Sequence, residues 1–327
     1  MKIQYVNRNI KAGFSFAKVF NPIMDYMSKN NDVCSFQVPE YRALPWHFFR
    51  NIKFVKQHIK KDYIHHVTGL TELALGCWHQ RTVITFHDAN FMINTRNPIS
   101  RFIKYILRIY IPVKASDCVT CISEKTKEEM LKYIKADIHV VYNPLDTHYV
   151  YIPKQFNQSK PRILHIGTKS NKNLERTAEA LKGINCELRI IGKLLPKDIE
   201  CLHKFNIDFT NSYGLTDEEI LEEYKRCDIV NFPSLYEGFG MPIIEAQAVG
   251  RCVITSNIPP MSEIAGDYPL LVDALSVESI RNAYISVIYN EELRNQLIRY
   301  GLNNVKRFEL KKICDDYMSL YEKISNV

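Results

Sequence analysis

Short apolar runs of strand length alternate with helical patterns twice along this chain, and that alternation limits the possible folds more than any other feature. In the first half KIQYV, DYIHHV, RTVITF, DCVTCI and IHVVY are rich in β-branched and aromatic residues and mostly apolar on both faces, as strands buried in a parallel sheet must be. Helical spacing separates them near residues 14–28, 47–60, 98–110 and 124–135. The pattern repeats in the second half with RILHI, CELRII, DIVNF, RCVIT and PLLV, and with helices near 171–182, 216–226, 240–249 and 276–300. Parallel neighbours need long crossover connections, so the fold class is α/β, with two Rossmann-like, doubly wound parallel-sheet domains.

A chain of 327 residues is long enough for two cores. Residues 143–161, NPLDTHYVYIPKQFNQSKP, hold three prolines and little periodicity, and read as a linker rather than as packed structure. The expected domains are therefore 1–150 and 151–309, followed by a helix in 310–327 that packs back on the first domain. Ligands of open parallel sheets sit beyond the carboxyl ends of the strands, so a cleft faced by both domains is the expected site.

Lys and Arg number 43 against 36 Asp and Glu, a formal charge of +7. The excess is confined to one side: residues 1–150 hold 21 basic and 12 acidic side chains, residues 151–327 hold 22 and 24. A basic domain suits an anionic partner such as a phospholipid surface or a phosphate-bearing substrate; a merely solvated basic surface is the rival explanation. Two stretches, FFRNIKFVKQHIKK (48–61) and ISRFIKYILRIYIPVK (99–114), mix apolar residues with cations at helical spacing. Each fits an interfacial helix on anionic lipid or a core helix with snorkelling lysines. Nucleic acid is the weaker option, because no recognition motif accompanies the charge.

The amino terminus has no apolar stretch of signal-peptide length and no window of about 18 apolar residues could span a bilayer, so a cytoplasmic location is expected, with peripheral membrane contact through the basic domain. Nine cysteines scattered from Cys34 to Cys314 fit reduced thiols. Cys118 and Cys121 form a lone CxxC inside a strand, where the two point to opposite faces, and the adjacent His65 and His66 also diverge. No GxGxxG follows a strand and no DxD pair stands ready for a metal-bound diphosphate, so neither a nicotinamide cofactor nor a metal is expected.

The most informative stretch is PSLYEGFGMPIIEAQAVG, residues 233–250. It leaves the strand DIVNF and enters a helix through Gly238, Phe239 and Gly240, with Pro242 in the first turn, where its missing N–H costs little. Glycines allow close backbone approach, and the helix start offers unpaired N–H groups with partial positive charge, a geometry that suits a diphosphate. Glu237 and Glu245 are eight residues apart, about 12 Å along a helix axis, too far to act as acid and base on one bond. They could serve hydroxyl-bearing groups at opposite ends of a diphosphate, or simply a helix dipole and a wet face.

This segment resembles the donor-binding signature of retaining glycosyltransferases of family 4, which have the GT-B fold. TFHDAN (85–90), VTCISEKTK (119–127), VYNPLD (141–146), HIGTKSNKNLERTAEAL (165–181) and ELRIIGK (187–193) also resemble family segments, in the same order. The resemblance implies that Glu237 contacts the transferred sugar, that the amides of Gly238, Phe239, Gly240 and Met241 lie near its hydroxyls and the diphosphate, and that Glu245 accepts from the ribose. It implies that Lys172 neutralises the diphosphate, with Gly167 and Asn173 in the same donor loop. A fixed cation there stabilises the charge that develops as the glycosidic bond breaks. Where many members have an arginine after the glycine this chain has Thr168, and Lys169 is the expected substitute.

His87, by the same resemblance, points at the transferred sugar from the first domain; a structural histidine at a strand end is the alternative. Gly13 stands alone in NRNIKAGFS where relatives have two adjacent glycines, and serves either the donor phosphate or a turn. The implied function is metal-independent, retaining transfer of a hexose from a UDP- or GDP-sugar to a glycan or lipid-linked saccharide. A non-catalytic nucleotide-sugar-binding protein and a sugar-nucleotide epimerase of the same fold are the rivals.

Overall fold

The computed structural model describes residues 1–12, 15–41 and 45–325. The six strands of the first sheet are β1 (Lys2–Asn7), β2 (Asp32–Gln37), β3 (Ile64–Val67), β4 (Thr82–Phe86), β5 (Cys118–Cys121) and β6 (Ile138–Val140), in the order β2-β1-β3-β4-β5-β6. The second sheet contains β7 (Arg162–Ile166), β8 (Glu187–Ile191), β9 (Phe209–Ser212), β10 (Ile229–Phe232), β11 (Cys252–Ser256) and β12 (Leu270–Val272), in the order β12-β11-β10-β7-β8-β9. All pairings in both are parallel. Every residue of the central strands β3, β4, β10 and β11 is buried, which is why their sequences are apolar without alternation.

Two strands, β2 and β9, lie outside the runs read from the sequence. Both are edge strands, partly exposed along their length, and DVCSFQ and FTNS carry too few apolar residues to stand out. The helix expected over 276–300 is two helices, Val277–Tyr289 and Glu291–Asn304. Asn290 divides them: its extended backbone ends the first, and its Oδ1 accepts from Leu293 N at 2.9 Å to cap the second. The Pro196–Lys204 helix is not among those expected from the sequence, although its proline stands in the first turn, as proline often does.

The chain divides into two units, Met1–Pro144 with Glu309–Val327, and Leu145–Phe308. Segment 145–161 has neither helix nor strand, but it is not the unpacked linker expected from its composition. Asp228 holds it by accepting from Lys154 Nζ, from Asn157 N at 3.1 Å and from Arg162 N at 2.8 Å. Arg251 Nη1 donates to Ile152 O at 2.9 Å, and Tyr151 lies so close to Gly250 that a Cβ there would stand 2.6 Å from its ring.

In the first unit the Leu310–Ser325 helix packs on the sheet, burying Ile313, Cys314, Tyr317 and Tyr321 against Ile3, Tyr5, Phe20 and Val83. A polar chain runs through this apolar layer. Tyr321 Oη lies 2.6 Å from His66 Nδ1 and 3.2 Å from Tyr5 Oη; His66 Nε2 reaches Thr85 Oγ1 at 2.7 Å, and Thr85 reaches Thr120 Oγ1 at 2.7 Å. Each buried polar atom of His66 thus has a partner, which ties the last helix to β3, β4 and β5.

Burial holds four imidazoles far below their ordinary range: His65 and His87 at about 4, His66 and His165 at about 3. All four are neutral in the folded protein at neutral pH, whereas the unfolded chain protonates them near about 6.5. Below that value the unfolded state binds more protons, so stability is fully present above about pH 6.5 and falls progressively as the pH drops toward the folded values. Urea midpoints are expected to fall steadily between about pH 7 and about pH 5; a midpoint constant across that interval would contradict the neutral, buried histidines.

Candidate functional site

Strand order in the second sheet reverses between β7 and β10. From β7 the chain moves outward through β8 to β9, then returns to the other side of β7 for β10, β11 and β12. Loops leaving the carboxyl ends of β7 and β10 therefore diverge, and a ligand can enter between them. Residues 167–173 and 233–240 are those two loops.

Lys172 and Glu237, one from each loop, meet: Nζ lies 2.7 Å from Oε1, with both side chains only 17% exposed. Asn171 Nδ2 donates to the same Oε1 at 3.2 Å and to Tyr236 O at 2.9 Å, while its carbonyl accepts from Leu235 N at 2.8 Å. The lysine Nζ also stands 4.3 Å from the centre of the Phe232 ring. Gly167 makes room for it: at φ +96° a Cβ would be strained and would lie 2.9 Å from the Lys172 stem.

Asn173 has left-handed backbone at φ +63° and is buried. Its Nδ2 donates to Pro233 O at 3.1 Å and Ala274 O at 2.7 Å, and its Oδ1 accepts from Arg176 at 3.1 Å. The side chain therefore clasps the two loops together, and is occupied in doing so. Lys169 is exposed, and Thr168 Oγ1 donates to Lys193 O at 2.7 Å.

The helix Met241–Val249 begins at Gly240, whose φ of +114° reverses the chain at the N-cap and which has no side chain of its own to cap the first turn. Phe239 is buried edge-on against Phe308 at 5.8 Å, so its side chain belongs to the core and only its backbone is near the loop surface. Met241 is half-buried at the first helical position. Glu245, one turn further, accepts from Tyr224 Oη at 2.6 Å on Oε2.

Tyr224 escaped the sequence reading. It is fully buried at the last turn of the Asp217–Arg226 helix, and burial together with the Glu245 charge keeps its phenol protonated, well above the ordinary range. Arg251 holds that turn in place, donating through Nε to Tyr224 O at 3.0 Å and through Nη2 to Lys225 O at 2.9 Å. In EEYKR nothing distinguishes this tyrosine from an ordinary core residue, because its partner comes from another helix.

In the first unit His87 follows β4, half-buried. Nε2 lies 2.8 Å from Thr68 O, an acceptor only, so Nε2 carries the proton and Nδ1 is the ring's acceptor. Desolvation and the nearby Arg8 charge oppose protonation, holding the ring neutral with a pKa of about 4. The Phe16 ring lies 4.1 Å from the imidazole, and the Arg8 guanidinium stands 3.7 Å over that same ring. Gly13 falls outside the described residues.

Two family models match the chain, "Glycosyltransferase Family 4" over residues 31–149 and "Glycosyl transferases group 1" over residues 152–304, together covering most of its length. The chain belongs to the family 4-type glycosyltransferases. An uncharacterized glycosyltransferase of Methanocaldococcus jannaschii is 26% identical over 251 residues, 75% of this chain and 69% of that protein. The O-antigen chain mannosyltransferase B of Escherichia coli is 24% identical over 289 residues, 80% of this chain and 74% of that one. Among solved structures, HepE of Anabaena in complex with UDP and glucose superposes with a TM-score of 0.79 at 12% identity, over 100% of both chains. Sucrose-phosphate synthase of Thermosynechococcus elongatus gives a TM-score of 0.79 at 16% identity, over 99% of this chain and 100% of that one. The fold of this glycosyltransferase is GT-B.

A Gly167→Ala substitution is expected to cost about 1–2 kcal/mol through its positive φ and to push Lys172 out of place. Transfer activity should fall about tenfold or more while the protein stays folded at 25 °C. Measuring kcat/KM beside the melting temperature checks this; unchanged activity would mean that the position of Lys172 does not matter.

Proposed function

We propose that this glycosyltransferase moves a hexose from a nucleoside-diphosphate sugar, UDP- or GDP-linked, to a hydroxyl of a lipid-linked saccharide or other surface-glycan precursor, with retention and without a metal. The observation that carries it is the 2.7 Å contact between Lys172 and Glu237 at the β7/β10 reversal, beside a helix start whose N-cap is Gly240. One cation and a row of backbone N–H groups suit a diphosphate; the adjoining carboxylate suits the hydroxyls of the attached sugar. Glu245, held by Tyr224, suits a ribose. The mannosyltransferase relative and the UDP- and glucose-bound structural neighbour support a nucleotide-hexose donor, and the O-antigen name supports a surface-polysaccharide acceptor.

In the proposed step the acceptor oxygen bonds to the anomeric carbon from the face that the diphosphate leaves. The C–O bond to phosphate breaks, and the acceptor proton passes to the departing phosphate oxygen. Lys172 and the helix start stabilise the negative charge that grows on the leaving group, worth more in the transition state than before it. His87, neutral with Nδ1 as acceptor, receives a hydrogen bond from a sugar hydroxyl and orients the ring. Lys169 is the second, exposed cation for the diphosphate. The enzyme is placed in the cytoplasm, where nucleotide sugars and the inner membrane face meet.

Lys172→Ala and Glu237→Ala are expected to lower kcat by about a hundredfold or more. Glu245→Ala should chiefly raise the donor KM by about tenfold, and Tyr224→Phe should do the same by roughly threefold, since it frees Glu245 without removing it. Initial rates with a panel of UDP- and GDP-hexoses test all four, and wild-type rates in the first two would overturn the assignment. EDTA should leave the rate unchanged, because positive charge comes from the protein; a loss restored by Mg²⁺ or Mn²⁺ would refute metal independence.

A further inference from the structure

The Pro98–Tyr105 helix of the first unit is amphipathic, yet it buries none of its residues. Ile99, Phe102 and Ile103, spaced i, i+3 and i+4 on one face, are 72%, 64% and 49% exposed. Its inward contacts are mixed: Tyr105 packs, partly buried, on the core, whereas Lys104 Nζ donates to Thr95 Oγ1 at 2.7 Å, and in the following turn Arg108 faces Glu72 at 3.6 Å and the Phe91 ring at 5.6 Å. A surface helix of a globular protein normally turns its apolar side in. Of the two explanations open for this stretch, the core helix fits its end, where Tyr105, Ile109 and Val113 pack on the core, and the interfacial helix fits its beginning, where Ile99, Phe102 and Ile103 are exposed.

Charge indicates what covers the apolar face. From residue 89 to residue 116 the chain has five Lys and Arg and no Asp or Glu, and the whole first unit carries 24 basic against 15 acidic side chains. Arg96 and Arg101 are exposed next to the apolar stripe. The Pro45–His58 helix repeats the pairing, with Trp46 and Phe49 58% and 68% exposed at i and i+3, and Arg50 and Lys53 following. Both segments pack on the same buried turn: Thr71 Oγ1 donates to Arg108 O at 2.7 Å, and Gly76 lies against Val55. Arg50 is paired with Glu40 at 2.8 Å, but on the Pro98–Tyr105 helix the exposed apolar side chains are interspersed with cations and free of carboxylates, which matches an anionic bilayer that accepts the first in its acyl boundary and the second among its phosphates.

We propose that the Pro98–Tyr105 helix is an interfacial anchor that inserts Ile99, Phe102 and Ile103 into anionic membrane, with Trp46 and Phe49 as a second point of attachment. This extends the membrane-borne acceptor argued above and rests on it only for the benefit of sitting at a bilayer; the binding itself needs no donor, acceptor or turnover.

The test is co-sedimentation of the full chain with vesicles of phosphatidylcholine, with and without phosphatidylglycerol. Binding is expected only with the anionic lipid. The double variant Ile99→Asp, Phe102→Asp should lose it about tenfold or more, with an unchanged melting temperature because both side chains are exposed. Arg96→Glu with Arg101→Glu should weaken it by about fivefold for each cation removed. Lys172→Ala, impaired in transfer, should bind vesicles as the wild type does, so that failure of the anchor and failure of the transferase assignment are told apart. A Phe102→Trp reporter should shift its emission to the blue on anionic vesicles. Equal sedimentation with neutral lipid, none with either, or full binding by the aspartate variant would overturn the anchor. So would a concentration-dependent dimer in sedimentation velocity that the same aspartates abolish, since it would assign the face to a second copy of the chain.

Discussion

The reversal of strand order between β7 and β10 is the constraint on which the candidate site depends. Parallel strands deliver all their carboxyl ends to one edge, but most consecutive loops there sweep the same way and cover one another. Only where the order reverses do two loops part. Lys172 arrives on one and Glu237 on the other, and Asn173 and Asn171 bond across the gap so that neither loop is free to collapse into it. The first sheet has the same reversal between β1 and β3, and it too gathers unusual residues: Arg8 after β1 lies over the Phe16 ring, which packs at a tilt against His87, and His87 bonds Thr68 after β3.

Pairing Lys172 with Glu237 has a consequence beyond geometry. A lysine placed alone in a half-buried crevice would be costly to keep charged, and a lone glutamate equally so; side by side each supplies the other's counter-charge. His165, one strand position below, is kept neutral partly by the lysine itself, which lowers its pKa after burial has already done most of the work. Its Nδ1 accepts from Asn231 at 2.9 Å, so the floor of the crevice is polar without carrying charge. Lys172 and Glu237, the charged pair of this crevice, are thus the ones that the proposed chemistry uses.

Much of the architecture was legible because parallel sheets write themselves as continuous apolar runs. Ten strands appear as such runs, whereas β2 and β9 do not, since an edge strand needs only one good face and theirs are partly solvated. Helix limits were legible where a cap or proline marks them, as at Thr216 and Pro98, and illegible at Asn290, where the apolar spacing continues across the break. The Glu237–Gly240 motif was readable because glycine at positive φ and a helix start leave a local signature. Tyr224 and Arg251 were not, because their roles depend on partners 21 and 27 residues away that only the fold brings near. Segment 145–161 shows the same limit: its prolines and polar residues look unstructured, yet Asp228 and Arg251, far along the chain in the same unit, hold its backbone.

Charge asymmetry between the units acquires a physical meaning from these contacts. The second unit, with 19 basic and 21 acidic side chains, has no net positive field to offer a diphosphate. It has instead one positioned lysine and the aligned dipoles of a helix start, which act at short range and are little screened by salt. The first unit is the reverse: 24 basic against 15 acidic side chains, with exposed apolar side chains among them. Such charge acts over a Debye length, and in the proposed anchor it would attract an extended anionic surface rather than recognise one group. Short-range, fixed charge in one unit and long-range, diffuse charge in the other are what an enzyme requires if it must select a small soluble donor and also remain at the surface that carries its acceptor.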